Sequence, residues 1–460
     1  LLLETIAASI EAVRDDLVFN AGSETNLPAA RLNGEITRTT SQLKLFANLL
    51  REGSWVVAAI DTQDTGRVPP KPDTRKMLIP VGPVAVFGAS NFPFAFSTAG
   101  GDTASALAAG CSVIIKAHPA HLQTSTLVFS AIQKALNQLK IPLVLVQHLI
   151  AKNNEEAKEL VQHPYTSAVG FTGSFAGGNA LIQYAHERHR PIPVFAEMSS
   201  VNPVLFLPDA INKNAPVLAQ QYAASVALGS GQFCTNPGIL IAFKNSYTDK
   251  FIYLLAEELS KMSPAKMLHK GIHENYNTTT ERMLALEGIK IITDINSSAK
   301  EMEPQAILAK TDATSFLSNT HFTEEVFGPF TLMVECSTEE EIKAVLWQLQ
   351  GQLTATTMCT ENDITVYKHL IEYQQQIAGR VIINNVPTGV EVCASMVHGG
   401  PYPATSFSHF TSVGSAAIKR WTRPVCFQNY PDDLLPDALK NNNPLGIWRI
   451  INNEWTNKNI

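Results

Sequence analysis

The chain lacks the features that mark metal-binding, disulfide-linked and membrane proteins. Its cysteines are scattered, with no CxxC pair and no metal-ligand spacing, at positions 111, 234, 336, 359, 393 and 426. We therefore predict no bound metal, and reduced thiols in the cytoplasm, because a chain of 460 residues needs no disulfides to stabilise its cores. No apolar run is long enough to span a bilayer, and we find no signal peptide.

The charge excludes further classes of partner. A formal net charge of -6 argues against binding to nucleic acid and against a basic membrane-facing surface. With 45% hydrophobic residues, the chain is long enough for two or three domains. It starts with Leu1-Leu2-Leu3 instead of methionine, from which we expect that an N-terminal stretch is absent.

Short apolar segments alternate with helical patterns in the first half of the chain. We predict strands at 84–87, 113–115, 143–146, 168–171 and 193–196, and helices near 97–109, 124–139, 155–162 and from 179. This alternation indicates βαβ units and a mostly parallel sheet, whose ligands bind beyond the carboxyl ends of the strands. A second alternating region covers 203–410. One helix from about 413 and a strand-like run at 424–427 follow it.

Cys234 is the candidate nucleophile. It lies in the segment GQFCTNPG at 231–238, between glycines that permit unusual backbone angles and close approach. A thiolate is the reactive form of cysteine, so such a residue needs access and help with deprotonation. The alternative is a buried structural cysteine.

Two polar residues near predicted strand ends are candidates for proton transfer and oxyanion binding. Glu197 follows an apolar strand, a setting that raises the pKa of a carboxyl group and suits a general base. The Asn91 side-chain amide is suited to stabilising an oxyanion. Taken singly, Glu197 could equally be a paired surface residue, and Asn91 an ordinary turn residue.

Three more segments are suited to a nucleotide. Lys116 ends a strand and is suited to ribose hydroxyls or a phosphate. Gly173 and Ser174 form a tight turn before a helix that contains Gly178, an arrangement that favours phosphate binding. Glu325, followed by Phe327 and a Gly-Pro turn, is suited to gripping a ribose while the ring packs on a flat heterocycle.

Taken in order, these motifs resemble the aldehyde dehydrogenase superfamily. They are NFP at 91–93, Lys116, FTGS at 171–174, Glu197, GQFC at 231–234 and EVFGP at 325–329. The segments at 87–110, 193–203, 232–238 and 397–405 (VHGGPYPAT) are similar to the 2-oxoglutarate semialdehyde dehydrogenase subgroup, and a related branch acts on long-chain aldehydes. One departure is Ser199-Ser200, where the superfamily commonly has Gly-Gly.

The resemblance implies an α/β fold in three parts. A Rossmann-type dinucleotide-binding domain would cover 1–61 and 77–205, with the helix at 413–421 returning to it. An α/β catalytic domain would cover 206–410, and a small oligomerisation arm and tail 62–76 and 422–460. We expect homodimers or homotetramers.

The resemblance also implies a chemistry. Cys234 would attack an aldehyde, Asn91 and the Cys234 backbone N–H would hold the oxyanion, and Glu197 would activate the water that hydrolyses the thioester. Glu325 would orient the nicotinamide ribose.

The sequence also contains features from which we predict the nucleotide and the substrate. We expect NADP, with NAD also accepted, because no Asp or Glu occurs from 116 to 152, while Lys116, His118 and His121 offer cationic groups. We expect Arg38 to bind a carboxylate on the substrate. The alternative for Arg38 is an exposed arginine paired with Glu35.

Two other functions stay open at this stage. The chain could be a non-catalytic binding protein on a dehydrogenase scaffold, since a fold does not determine a function. It could also be a cysteine hydrolase that needs no nucleotide, although no nearby Cys–His pairing is visible in the sequence.

Overall fold

A computed structural model describes residues 1–294, 301–349 and 351–460, whose strands form three sheets. The helices are α1 (Leu2–Glu11), α2 (Arg14–Thr25), α3 (Ala29–Glu52), α4 (Gly101–Ala109), α5 (Leu122–Gln138), α6 (Asn154–Gln162), α7 (Phe175–His186), α8 (Pro208–Ala227), α9 (Ser246–Lys261), α10 (Lys270–Leu284), α11 (Ala313–Ser318), α12 (Glu339–Gln348) and α13 (Glu361–Tyr373). Short 3₁₀ helices cover Ser54–Val56, Pro119–His121, Leu143–Leu145, Leu228–Gly231, Thr320–Thr323, Gln374–Gln376, Ser415–Trp421, Asp432–Leu434 and Asp437–Leu439.

The strands follow in chain order. They are β1 (Ala59–Asp61), β2 (Thr74–Pro80), β3 (Val84–Phe87), β4 (Val113–Lys116), β5 (Val146–Leu149), β6 (Ala168–Thr172), β7 (Val194–Glu197), β8 (Val204–Phe206), β9 (Ile239–Phe243), β10 (Lys290–Ile291), β11 (Ile307–Asp312), β12 (Phe330–Cys336), β13 (Gln352–Met358), β14 (Ala378–Ile383), β15 (Thr422–Gln428), β16 (Arg449–Ile451) and β17 (Glu454–Thr456).

The first sheet is parallel and has the order β5-β4-β3-β6-β7. Its central strand β3 (VAVF) is buried at all four positions, as expected for a strand covered on both faces. The strand order reverses between β3 and β6. The loops that leave these two strands therefore diverge and form a crevice at the carboxyl edge of the sheet.

The second sheet has the order β10-β11-β12-β9-β8-β13-β14, with only β10 antiparallel to its neighbour. Aromatic rings anchor α8 and α9 to one face of it. The rings of Tyr222 and Phe251 both lie 4.8 Å from that of Phe206 on β8. This packing holds the end of α8, from which the loop containing Cys234 departs.

The third sheet, in the order β15-β2-β1-β16-β17, joins segments that are far apart in the chain. Its small core contains Val56, Ile60, Leu435, Leu439 and Ile447. Residues 59–61 and 77–80 belong to this sheet, which corrects their expected place in the dinucleotide-binding part. β2 pairs along its whole length with β15, so the apolar residues at 77–79 serve this sheet.

Four predicted elements differ in detail, among them the helix expected from 179, which begins at Phe175. The segment at 143–146 is a 3₁₀ helix followed by β5, because Leu143 and Val144 are exposed and cannot form a buried strand. The helix expected from 97 begins at Gly101. The one expected at 413–421 is a 3₁₀ helix at Ser415–Trp421, which packs on the first sheet's helices through a 2.7 Å bond from Trp421 Nε1 to Ser105 Oγ. Within the described ranges, no helix has the length and apolar character needed to cross a membrane.

Candidate active site

The loops that leave β3 and β6 line a pocket of about 370 Å³. Asn91, Gly173, Ser174, Glu197, Cys234, Glu325 and Phe327 all contribute to its lining, together with His269 and Asn275. Ser174 is the N-cap of α7, and its hydroxyl oxygen accepts a hydrogen bond from the Gly177 N–H. The pocket therefore combines a helix N-terminus with a thiol and two carboxyl groups.

A strained turn presents Cys234 to this pocket. After α8 the backbone takes positive φ angles at three consecutive residues, Gly229 (55°), Ser230 (54°) and Gly231 (65°). A Cβ at Gly231 would lie 2.1 Å from the Gly328 carbonyl oxygen, so only glycine fits there. The Asn202 side chain donates a 2.9 Å bond to the Cys234 carbonyl and fixes the far side of the turn.

Cys234, His398 and Glu197 form a compact group. The Cys234 Sγ lies 3.5 Å from His398 Nε2, which lies 2.9 Å from Glu197 Oε1. Ser412 Oγ donates a 2.7 Å bond to the other carboxylate oxygen of Glu197. The histidine and the glutamate are almost completely buried, with 1% and 3% of their side chains exposed. Such an arrangement can accept the thiol proton and hold it away from solvent.

The pKa of Glu197 shifts in the direction opposite to the prediction. Burial by itself would raise it, but the charge of His398 and hydrogen bonds from His398, Ser412 and Cys234 hold the pKa below its usual value. The apolar strand before Glu197 is visible in the sequence, whereas these partners are distant in the chain and are not. Glu197 is thus an ionised carboxylate in a buried setting, ready to accept a proton.

The pKa of the Cys234 thiol is raised. Burial contributes most, followed by the negative charges of Glu197 and Glu325, while the charge of Arg38 opposes them. The resting residue is therefore a thiol, and it requires a base to react. The short contacts to His398 and Glu197 provide one. The structure thus corrects the view that no Cys–His pairing exists.

Asn91 faces Cys234 from the loop after β3. Its side-chain amide donates a 3.1 Å bond to the Gln232 carbonyl, two residues before Cys234. On the other side, Arg31 Nη2 donates 2.7 Å to the Asn91 carbonyl, and the guanidinium lies 5.0 Å and 4.7 Å from the ring centroids of Phe92 and Phe233. Asn91 and the thiol loop are therefore held together by one arginine that the sequence analysis missed.

Glu325 and Phe327 also line the pocket, and Glu325 is in contact with the segment that follows β7. Burial raises the pKa of the Glu325 carboxyl to about 7, and hydrogen bonds from the Ser199 hydroxyl and the Ser200 backbone only partly offset it. Ser199 and Ser200 occupy the positions where the superfamily commonly has Gly-Gly. The departure therefore provides a hydrogen-bond donor to a carboxyl group in the pocket.

Four predicted residues do not line the pocket, among them Lys116, which lies at the end of β4 and is half-buried. His118 Nδ1 accepts from the Ala120 N–H at 3.1 Å, and its ring stacks 5.4 Å from that of His121. Burial and the neighbouring charges of His121, Lys116 and His269 lower the pKa of His118 to about 3. The expectation that His118 offers a cation is therefore wrong, and Lys116 is the cation at this strand end.

The other two are Gly178 and Arg38. A Cβ at Gly178 would lie 2.5 Å from Met198 Sδ, so this glycine permits α7 to pack closely on the segment after β7. Arg38 is neither exposed nor bonded to Glu35, because Glu35 Oε1 accepts instead from the backbone N–H groups of Phe94 and Ala95 at 2.8 and 2.9 Å. Arg38 Nη1 donates 2.8 Å to the Val390 carbonyl.

His398 and Ser412 are the functional candidates that the sequence analysis did not single out. Both come from the segment after the last strand of the second sheet, and His398 lies 164 residues from Cys234. The signal was present, since His398 belongs to the VHGGPYPAT segment at 397–405, but that segment was used only as a likeness.

Comparisons with known proteins identify the family of this chain. The model of the aldehyde dehydrogenase family matches residues 1–424. Alpha-ketoglutaric semialdehyde dehydrogenase 2 of Azospirillum brasilense is 46% identical over 449 residues, which cover 97% of this chain and 86% of that protein. The alpha-ketoglutaric semialdehyde dehydrogenase of Acinetobacter baylyi is 46% identical over 452 residues, which cover 98% of this chain and 86% of that protein.

Solved structures confirm the fold. A glyceraldehyde-3-phosphate dehydrogenase from Methanocaldococcus jannaschii, complexed with NADP, superposes with a TM-score of 0.77 at 19% identity, over 93% of this chain and 88% of that one. Apo betaine aldehyde dehydrogenase from Staphylococcus aureus (a glycine-to-serine mutant) superposes with a TM-score of 0.77 at 19% identity, over 94% of this chain and 83% of that one.

The α/β fold places a thiol beside a crevice, and the family match and the two relatives show that the protein is an oxidoreductase. The chain belongs to the aldehyde dehydrogenase family, and it oxidises aldehydes with NAD(P) as the nucleotide. The resemblance read from the motifs is thereby confirmed.

Proposed function

We propose that the protein oxidises 2-oxoglutarate semialdehyde to 2-oxoglutarate. The observation that carries the chemistry is the contact of the Cys234 Sγ with His398, and of His398 with Glu197, beside the Asn91 amide in one pocket. The names of the two bacterial relatives support the substrate. So does Arg38, whose positive charge opposes the raised pKa of Cys234 and which can pair with a carboxylate at the far end of the aldehyde.

In this proposal, the thiol proton passes to the Glu197–His398 pair as the Cys234 sulfur bonds to the aldehyde carbon. The Asn91 amide and the Cys234 backbone N–H hold the resulting oxyanion. Loss of a hydride from the same carbon leaves a thioester on Cys234. Once the pair has passed the thiol proton to solvent, Glu197 removes a proton from water, which attacks the thioester. Glu197 returns this proton to the departing Cys234 thiolate, so that the carboxylic acid and the thiol are released.

The pocket fits a nicotinamide nucleotide, because Gly173 and Ser174 bring the N-terminus of α7 to it and Glu325 offers a carboxyl group. When bound, the nucleotide supplies the hydride acceptor. We propose that NADP is favoured over NAD. Lys116 ends β4, the strand whose end selects the adenine ribose in such folds, and no Asp or Glu occurs from 116 to 152.

Rapid mixing tests the mechanism. Glu197→Gln should give a burst of reduced nucleotide equal to the number of active sites and then turn over slowly, since His398 can still accept the thiol proton but no carboxylate remains to activate water. Cys234→Ala should give neither. Normal turnover by Cys234→Ala, or a Glu197→Gln variant without a burst, would contradict the scheme.

A substrate panel tests the specificity. We expect the highest kcat/KM with 2-oxoglutarate semialdehyde, a lower value with succinic semialdehyde, and the lowest with a long-chain alkanal, each measured with NADP and NAD. A higher kcat/KM with the alkanal would contradict the proposed substrate. A kcat/KM about tenfold or more higher with NAD would contradict the proposal that NADP is favoured.

We also propose that the third sheet is an oligomerisation arm and that the protein forms homodimers or homotetramers in the cytoplasm. β15 and β17 are the two edges of this sheet, and unpaired edges favour strand pairing between chains. All six cysteines are free, which suits a reducing compartment. Light scattering that gives a monomer mass at micromolar concentration would contradict the oligomer.

A further inference from the structure

Two arginines near Cys234 carry buried nitrogen atoms that have no hydrogen-bond partner among the described residues. In Arg38 these are Nε and Nη2, and in Arg380 the Nε alone. An unpaired N–H of a buried cation is costly, so such donors call for an acceptor. Arg38 comes from α3 and Arg380 from β14, so two distant segments of the chain supply them.

The two guanidinium groups bind the same short segment of backbone, through the carbonyls of consecutive residues. Arg38 Nη1 donates 2.8 Å to Val390, and Arg380 Nη1 donates 2.8 Å to Gly389. Arg380 Nη2 adds a 2.6 Å bond to Pro387. The donors that remain without a partner are therefore Nε and Nη2, which form one edge of Arg38, and Nε of Arg380.

Both arginines are close enough to sense the charge of the nucleophile. The pKa of Arg38 is lowered by burial, while Glu35, Cys234, Glu391 and Glu197 raise it. Burial also lowers the pKa of Arg380, and Cys234 raises it. Arg38 also contacts an aromatic ring near His398. Its guanidinium lies 5.4 Å from the centroid of the Phe96 ring, and the Phe96 centroid lies 6.2 Å from that of the His398 ring.

The nearby carboxylates do not occupy the free edge of Arg38. Glu35 Oε1 accepts from two backbone N–H groups, and Glu391 Oε1 accepts from Val392 N–H at 3.0 Å. Within residues 1–294, 301–349 and 351–460, neither has a hydrogen bond or ion pair to Arg38. Both arginines thus bind the 387–390 segment, and one edge of Arg38 has no hydrogen-bond partner among the described residues.

The same chain shows how that edge binds a carboxylate. In Arg75, Nε and Nη2 donate 2.9 and 3.1 Å to the two oxygens of Asp73. These are the two nitrogens left unpartnered in Arg38. The edge presents two parallel N–H bonds at the spacing of a carboxylate.

We propose that the pair recognises a 2-oxo acid, with Arg38 Nε and Nη2 holding its carboxylate and Arg380 Nε donating to the neighbouring ketone oxygen. The three free donors match the three acceptor oxygens at the far end of 2,5-dioxopentanoate, the anion of 2-oxoglutarate semialdehyde. A semialdehyde without the ketone leaves the Arg380 donor unpaired, and sites of this kind discriminate against such analogues. The assignment rests on the proposed function and adds the ketone to what the site reads.

Two substrates that differ only in the ketone test the assignment. They are 2,5-dioxopentanoate and 5-oxopentanoate, with pentanal as an uncharged reference. Arg380→Lys should lower kcat/KM for the first by about tenfold or more while changing the second by less than about twofold, because one hydrogen bond to a charged donor is lost. Arg38→Lys should lower kcat/KM for both semialdehydes by about tenfold or more and leave pentanal unchanged.

Arg190→Lys, at an exposed position after α7, is the matched control and should change none of the three. Equal losses on both semialdehydes in Arg380→Lys would overturn the ketone contact, and an equal loss on pentanal would reduce Arg380 to a support of the 387–390 segment. If wild-type enzyme prefers pentanal, the proposed function itself fails. If the wild-type enzyme prefers the semialdehydes but Arg380→Lys has no effect, the ketone contact of Arg380 is contradicted and the proposed function is not.

A measurement without variants covers the case in which Arg380→Lys does not fold. As inhibitors competitive with the aldehyde, 2-oxoglutarate and glutarate differ in the same ketone oxygen. We expect 2-oxoglutarate to bind at least about fivefold more tightly to the wild-type enzyme. Equal inhibition constants would overturn the assignment.

Discussion

Two glutamates line the pocket beside Cys234, and their surroundings shift their pKa values in opposite directions. Glu197 has a buried histidine at 2.9 Å and a serine hydroxyl at 2.7 Å, and its pKa is below the usual value. Burial outweighs the few partners of Glu325 and raises its pKa to about 7. One pocket thus contains a carboxylate that can take a proton and a carboxyl group that titrates near neutrality, and partners rather than burial separate them.

Removing the partner of Glu197 should have the largest effect. His398→Gln keeps a polar side chain but removes the group that contacts both the thiol and the carboxylate. We expect kcat/KM to fall by about 100-fold or more, the size of a lost proton-transfer step. Steady-state kinetics with a saturating nucleotide measures it.

The rate at which iodoacetamide alkylates Cys234 separates chemistry from folding. It should fall in parallel in His398→Gln if the histidine helps to deprotonate the thiol. His189→Gln, at an exposed position, is the control and should match wild type. Unchanged alkylation with a large loss of turnover would show that His398 acts only after the attack.

The titration of Glu325 should appear in nucleotide binding. Below pH 7 the group is neutral, and above pH 7 it becomes a carboxylate that can accept hydrogen bonds from ribose hydroxyls. The dissociation constant for NADP should therefore fall about tenfold from pH 6 to pH 8, as one group titrates across that range. Equilibrium titration of the Cys234→Ala variant measures binding without turnover.

Glu325→Gln provides the comparison for that experiment. It cannot ionise, so its dissociation constant should stay flat over the same range and near the low-pH value of the parent. A parent profile that is already flat, or a variant that keeps the slope, would assign the titration to another group.

The sequence was sufficient for the parts of the site that follow local rules. Asn91, Gly173, Ser174 and Glu197 lie at or just after strand ends, and Cys234 lies between glycines, so composition and order located them. The periodicity also placed the parallel strands, apart from 143–146, where exposed leucine and valine imitated a buried run.

What the sequence could not provide is contact between segments that are far apart. The pKa of Glu197 was expected in the wrong direction because His398 lies 201 residues away and Ser412 lies 215 away. His118 was expected to be charged because nothing local shows that it is buried or that the ring of His269 lies 6.4 Å from its own. Hydrophobic periodicity locates elements, but only tertiary packing determines which charges meet.

The smallest expected effect concerns Ser199, which links the two glutamates along the segment after β7. Its hydroxyl oxygen accepts from the Phe175 N–H at 3.3 Å, and the hydroxyl donates to Glu325. Ser199→Ala removes a donor that stabilises the carboxylate form, so the pKa of Glu325 should rise further. The pH midpoint of NADP binding should move up by about half a unit to one unit, as one hydrogen bond predicts.

The Ser199 variant is best measured beside Ser318→Ala, an exposed serine at the end of α11, which should leave the midpoint unchanged. The burst of Glu197→Gln should also keep its amplitude when Ser199→Ala is added, because the Glu197 partners are His398 and Ser412 rather than Ser199. A midpoint that does not move would mean that Ser199 only anchors α7. A shift together with a lost burst would show that the two glutamates are coupled, and the contrast between them would need to be redrawn.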